Sequence, residues 1–591
     1  MMSPAFVLLL VGLFLVQVCA LDLQVDDSFQ PRFCNSPIYC EGPLLKTVQL
    51  AKLFPDSKTF VDMPTKKPVD QVLEAFNSLG KTLIKQAFNH FPLQWLKKVK
   101  DLKYRGWIDN LHHAWSQLTF KFNTSSLCEG CVSSTLPVKR PFVVPGGRFR
   151  EFYYWDSYFV IEGLLQSGLD SLARDMIENF LDFVDTYGFM PNGARIYYLN
   201  RSQPPFLTEM VKLYYQETKN VDFLKKALPV LEKEYSFWLK NTTVTIHQGD
   251  KKYKLNHYNV ENHSPRPESY YEDYNTVYNG TNFTTKQQLD LFSDLATGAE
   301  TGWDYTSRWT KVKDYTPDTT DILRTLDTRN IIPVELNALL WSMETTLAGW
   351  YQDFGSDITT DKQRARKTSY YKKQAKKRLE AMDSLLWNQD QASFFDYNLT
   401  SHARNDDDYS PASLYPFWLG AIPDRVRHST ETLNRVFDLT RDILAKTPGI
   451  LTTTTHNSTM QWDFPNGWPP LQYVAIKAML QVDQWLENER YAPLAKVLAE
   501  RAAASAFCSW YLTGGSIPGE LQKLSNTTDN GHMFEKFDVR SLTASGFGGE
   551  YTVQVGFGWT NGVTMWILNK FSDLVAPDCT SSNIYQVPNL N

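Results

Sequence analysis

The 591-residue chain predicts an all-α fold, and three observations carry that reading. Apolar residues recur at helical steps: Tyr371, Ala375, Leu379, Met382 and Leu386 stand four, four, three and four positions apart. The same pattern recurs over roughly 70–100, 157–186, 207–240, 413–445, 470–487, 492–513 and 561–575, while convincing alternating strands are few. No long Gly/Ser or Pro linker divides the chain, and no short internal repeat emerges. One large helical domain follows. Periodicity alone leaves open both a toroid of paired helices and an irregular bundle, with function on loops at one end.

The individual elements support this. Leu336, Leu340, Met343, Leu347 and Trp350 form an apolar face after Pro333, a residue suited to a helix start. In the 371–386 helix, Lys372, Lys373, Lys376, Lys377 and Arg378 occupy the other face and read as solvated. Hydrophobic residues make up 42% of the chain, enough for a sizeable core. The 17 Trp and 30 Tyr supply large packing side chains and, in a second reading, flat faces for sugar rings. A net charge of -5 without a clustered basic face argues against a nucleic-acid partner.

The ends point to the secretory route. Ala5 to Val16 is an apolar run of signal-peptide length, and Val18-Cys19-Ala20 ends it on a small residue. No Lys or Arg precedes the run, which departs from the usual pattern. Residues 1–20 are read as a signal peptide and 21–591 as the mature domain. The polar C-terminus after Cys579 carries no anchor tail, so no membrane anchor is expected. Glycosylation sequons stand at Asn123, Asn200, Asn241, Asn262, Asn279, Asn282, Asn398, Asn457 and Asn526. Six cysteines remain after cleavage: Cys34, Cys40, Cys128, Cys131, Cys508 and Cys579. An even count in a secreted chain allows up to three disulfides of unspecified pairing.

Three loop-like segments concentrate polar and aromatic residues. In Pro145-Gly146-Gly147-Arg148-Phe149-Arg150-Glu151-Phe152-Tyr153-Tyr154-Trp155-Asp156, Arg148 is a rigid fork of donors and Trp155 a stacking face. Asp156 serves either as an acceptor for sugar hydroxyls or as a helix cap. The second is Gln461-Trp462-Asp463-Phe464-Pro465-Asn466-Gly467-Trp468-Pro469-Pro470. The third runs from Gly546 to Gly562. Its glycines lack the preceding strand of a nucleotide loop, and the stretch is a candidate lid.

The first two segments resemble the two signature motifs of the trehalases, glycoside hydrolase family thirty-seven, and the resemblance extends over roughly residues 30–575. It implies an (α/α)6 barrel of six inner and six outer helices with a pocket at one end. It also implies hydrolysis of α,α-trehalose to two glucoses with inversion, without metal or other cofactor. Inversion needs one carboxyl to protonate the glycosidic oxygen and another to activate water, about 6.5–9.5 Å apart. The resemblance places the acid at Asp304, in Glu300-Thr301-Gly302-Trp303-Asp304, and the base at Glu535, in Glu535-Lys536-Phe537-Asp538. It places sugar contacts at Arg148, Phe149, Trp155, Asp156, Asn192, Arg201, Gln203, Arg266, Glu268, Gly302, Trp462 and Glu550.

Read from the residues alone, these assignments have rivals. Arg308 stands four residues after Asp304 and would make it a plain ion-paired aspartate. Asp538 and Glu550 are as good candidates for the base as Glu535. Metal catalysis has little support: His112-His113 reads as a surface pair, and Asp406-Asp407-Asp408 lacks the spacing of a calcium loop and reads as a solvated turn. No Gly-x-Ser-x-Gly is present. Two other functions stay in view, another inverting α-glucosidase on the same barrel and a non-catalytic sugar-binding homologue. The chain is expected to act as a monomer.

Overall fold

The computed structural model describes residues 34, 36–74, 95–122, 127–313 and 319–580. These belong to one unit, Phe33–Asn591. The expected signal peptide, the sequon at Asn123 and most of the 70–100 stretch lie outside the described residues.

The long helices are α1 (Leu102–Leu118), α2 (Asp156–Gln166), α3 (Asp170–Tyr187), α4 (Leu207–Thr218), α5 (Val221–Thr242) and α6 (Thr285–Thr301). They continue as α7 (Val334–Phe354), α8 (Asp361–Leu385), the short α9 (Tyr415–Leu419), α10 (Pro469–Leu486), α11 (Ala492–Leu512) and α12 (Gly558–Lys570). Six of them close a ring: α2 packs on α4, α4 on α7, α7 on α9, α9 on α10, α10 on α12, and α12 back on α2. Outside the ring, α1 lies on α12, α3 on α2 and α4, α5 on α4 and α7, and α8 on α7. Short helices around Thr430–Leu433 cover α10, and α11 lies on α10 and α12. The chain is therefore an (α/α)6 barrel.

Burial follows from this layering. The inner α12 is buried continuously from Gly558 to Leu568, as a helix enclosed on every side must be. The outer α3 and α5 each bury one face and leave charged residues outside. The ring closes where α2 and α12 cross at glycines. A Cβ on Gly562 would lie 2.0 Å from the Phe159 carbonyl oxygen, and one on Gly163 would lie 2.5 Å from the Gly562 Cα. Only residues without a side chain permit that approach.

The elements differ from the sequence expectation in identifiable ways. The 157–186 stretch breaks into α2 and α3 at Ser167–Gly168, and the 207–240 stretch breaks at Lys219, which caps α4 in the left-handed conformation. Asn220 then caps α5 by accepting from the Phe223 N–H at 3.0 Å. The 413–445 stretch is several short helices interrupted by Gly420 and Pro423. Helix α6 escaped the periodicity because its first turn, Thr285-Lys286-Gln287-Gln288, is polar; the Thr284–Gln287 capping box starts it instead. A hairpin pairs Thr243–Gln248 with Lys251–Asn256, its alternation obscured by three lysines in the second strand. Arg378 is not solvated. It is buried and donates to Glu344 at 2.9 Å and to the Asn256 and Asn337 side-chain oxygens at 2.7 and 2.9 Å. His112 is likewise buried, whereas His113 is exposed. The six cysteines pair as Cys34–Cys40, Cys128–Cys131 and Cys508–Cys579.

Candidate active site

A cavity opens at the amino-terminal ends of the inner helices. Asp156 is the first residue of α2, Gln203 precedes α4, Trp462 and Trp468 precede α10, and Phe557 and Trp559 flank the start of α12. Helix N-termini carry partial positive charge, which suits a site crowded with carboxylates. From the opposite direction α6 ends at Gly302 in the left-handed conformation and delivers Asp304 to the wall. Asp304 itself has a φ of 36°, a strained value for a non-glycine residue that the surrounding packing has to hold.

Every residue of the expected set lines this one cavity: Arg148, Phe149, Trp155, Asp156, Asn192, Arg201, Gln203, Arg266, Glu268, Gly302, Asp304, Trp462, Glu535 and Glu550. Four carboxyl groups dominate its chemistry. Asp304 accepts from Gln461 Nε2 at 2.8 Å through Oδ2. Desolvation pushes its pKa up to about 7; Glu550 and Glu535 add to the rise, and Arg266 and Lys536 oppose it. Glu535 is 1% exposed and accepts from the Tyr551 hydroxyl at 2.9 Å. Burial raises its pKa as well, and Lys536 opposes that rise most strongly. Asp156 is pushed up to about 8, chiefly by burial and further by Glu535 and Asp304. Glu550 is also raised by burial, against the pull of Arg266.

Three arginines shape the rest. Arg266 is clamped by Asp273 at 2.9 and 2.7 Å and reaches Glu550 at 2.8 Å. Arg201 pairs with Glu268 and donates from Nε to Asn192 at 3.0 Å, with its plane over the Tyr198 ring. Arg148 bonds Asp56 at 2.6 Å and stacks over Tyr551 at 4.7 Å. Planar guanidinium groups fixed this way present donors in set directions. The aromatic floor is built by Trp462, stacked on Trp468 with centroids 3.9 Å apart and planes 6° from parallel.

The rival readings resolve differently. Arg308 does not touch Asp304; it pairs with Asp396 and Glu335. Asp538 lies outside the cavity and pairs with Arg540 at 2.7 Å. Glu550 lines the cavity but is tied to Arg266 and, at 3.3 Å, to Ser269. Of the acidic turn, Asp408 pairs with His456 and Lys313, both at 2.9 Å, and Asp406 with Arg404. The 546–562 stretch packs over the cavity, held by the Glu550–Arg266 and Tyr551–Glu535 bonds.

Sequence reasoning missed several wall residues. Tyr551 and Trp559 were visible only as aromatics inside the glycine-rich stretch. Tyr153 stood inside the first segment without being singled out, and Lys58 and Tyr198 carried no motif signal. Lys58 is held there at 2.5 Å by Asp62, four residues on in the same short helix, and at 2.5 Å by Glu151, a distant partner that no local spacing reveals.

Comparison with known proteins agrees with the geometry. The trehalase family pattern matches residues 80–572. The chain is 37% identical to the trehalase of Dictyostelium discoideum, covering 91% of this chain and 90% of that one. It is 36% identical to the trehalase of Oryctolagus cuniculus, covering 95% and 94%. The neutral trehalase of Saccharomyces cerevisiae shares the fold with a TM-score of 0.54 at 22% identity, over 79% of this chain and 81% of that one. With both the family pattern and full-length relatives matching, the chain belongs to the trehalase family of glycoside hydrolases.

Proposed function

We propose that this enzyme hydrolyses α,α-trehalose to two glucose molecules with inversion, Asp304 acting as general acid and Glu535 as general base. The observation that carries the reading is the unequal surroundings of the two carboxyls that line one cavity. Asp304, lifted to about 7, keeps a proton near neutral pH and has one oxygen free of the Gln461 bond. Glu535 is aligned by the Tyr551 hydroxyl, which stabilises its charged form. Environments that separate two carboxyls in this way assign acid and base.

In the reaction, the Asp304 proton passes to the glycosidic oxygen as the C–O bond breaks. Water attacks the anomeric carbon from the opposite face and gives its proton to Glu535. Arg201, Arg266 and Glu268 supply charged hydrogen-bonding groups and Asp156 a carboxyl for the hydroxyls of two glucose units, and Trp462 and Phe149 supply apolar faces. Proton NMR of early turnover tests this. Equal early α- and β-glucose supports inversion. Only α-glucose at first means retention and removes the water-activating role of Glu535.

The setting is read in the same way. The leader over 1–20, the sequons and three disulfides fit a secreted glycoprotein with 21–591 as one catalytic domain acting as a monomer. Among the described residues no helix is long and apolar enough to cross a membrane. Amino-terminal sequencing of secreted protein, a glycosidase mobility shift and light scattering check these points.

A further inference from the structure

Gln461 and Lys536 do not line the cavity, yet both are almost completely buried directly behind it, at 1% and 0% exposure. Their hydrogen bonds form a chain. Lys536 Nζ donates to Gln461 Oε1 at 3.0 Å, and Gln461 Nε2 donates to Asp304 Oδ2 at 2.8 Å. The direction of this chain is fixed by chemistry. A lysine ammonium has three donors and no acceptor, so the amide must turn its oxygen toward Lys536 and its NH2 toward Asp304. Oδ2 is thereby committed as an acceptor, and Oδ1 is the oxygen left to carry the proton.

The surroundings hold the chain in place. Lys536 also donates to the Gly548 carbonyl at 3.0 Å and sits 5.0 Å over the Trp468 ring. The Trp468 indole in turn donates to the Gln461 backbone carbonyl at 3.1 Å. Gly549, with a φ of 97°, leaves room for the amide: a Cβ there would lie 2.4 Å from Gln461 Oε1. The strained backbone of Asp304 makes such support necessary, because a carboxyl on a strained residue keeps its orientation only if its neighbours impose it.

We propose that Gln461, oriented by Lys536, is a positioning residue that presents Asp304 with its proton on Oδ1 toward the glycosidic oxygen. This rests on the reading of Asp304 as the acid. The role is distinct from sugar binding, because neither side chain reaches the cavity.

The test uses Gln461→Ala, the isosteric Gln461→Glu, which does not donate to Asp304 when ionised, and Asp304→Asn. Each is assayed on trehalose and on α-glucosyl fluoride, whose leaving group departs without protonation. A positioning role predicts that both Gln461 variants lower kcat on trehalose by about 10–100-fold with KM within about threefold. It also predicts that fluoride hydrolysis stays within about threefold of the parent. Unchanged trehalose turnover, or equal losses on both substrates, overturns the positioning role. Parallel losses on both substrates in Asp304→Asn instead overturn the acid assignment itself, so the two failures are told apart.

Discussion

Arg308 lies four residues after Asp304 but turns its guanidinium away from it, to Asp396 at 2.9 Å and Glu335 at 2.8 Å. This choice of partner matters for the site. An arginine bonded to Asp304 would hold its carboxyl low and ionised. With Arg308 engaged elsewhere, desolvation dominates and the carboxyl rises to about 7.

The two carboxyls proposed for proton transfer should be indispensable and unequal in kind. Asp304→Asn and Glu535→Gln are each expected to lower kcat on trehalose by about 10²–10⁴-fold, the usual range for acid–base groups. Circular dichroism should show both variants folded. An active variant at either position reassigns that role.

The pH profile of kcat/KM should be bell-shaped. The acid must be protonated, so activity falls as pH rises through the Asp304 value of about 7. The base must be ionised, so activity falls as pH drops through the Glu535 value, which burial raises above the ordinary glutamate range. Glu550 is the carboxylate that raises Asp304 most, and its own bond to Arg266 occupies that cation. Glu550→Gln should therefore move the alkaline limb to lower pH, whatever it does to KM. A limb that stays in place means Glu550 does not act on Asp304.

Breaking the buried Arg308 cluster should cost much more than a surface ion pair. Arg308→Met leaves Asp396 and Glu335 buried without their cation, a loss of about 3–5 kcal/mol. The sign of its pH dependence follows. Orphaned carboxylates have folded-state pKa values above their unfolded values, so they destabilise most at neutral pH and least once protonated. Denaturant unfolding of the variant and parent at two pH values should show the gap narrow in acid.

One substitution at two glycines should act in opposite directions. Gly562→Ala drives a Cβ onto the Phe159 carbonyl at the crossing of α2 and α12 and should destabilise by about 1–3 kcal/mol. Gly349→Ala, inside α7 with nothing within 4 Å of the added Cβ, should stabilise by about 0.5–1 kcal/mol. Thermal denaturation of the pair checks the closure of the ring at the first site against helix propensity at the second.

By itself the sequence determined the helical class, because a period of 3.6 in apolar residues is a local property, readable in Tyr371 to Leu386. It also determined which segments carry the cavity, since Arg148 to Asp156 and Gln461 to Pro470 are contiguous runs of functional side chains. Breaks at Gly168 and Lys219 and the polar start of α6 were harder to read, because a single left-handed residue or one capping box outweighs the average pattern. The closing of the ring, the partner of Arg308 and the bond from Gln461 to Asp304 were decided only by tertiary structure. Gly163 meets Gly562, Arg308 meets Asp396, and Gln461 meets Asp304 across long sequence separations, and no local spacing encodes such pairs. The same holds for the carboxyls: Asp538, Glu550 and Glu535 look alike in sequence. Burial, Tyr551 and the competing hold of Arg540 and Arg266 make them physically different.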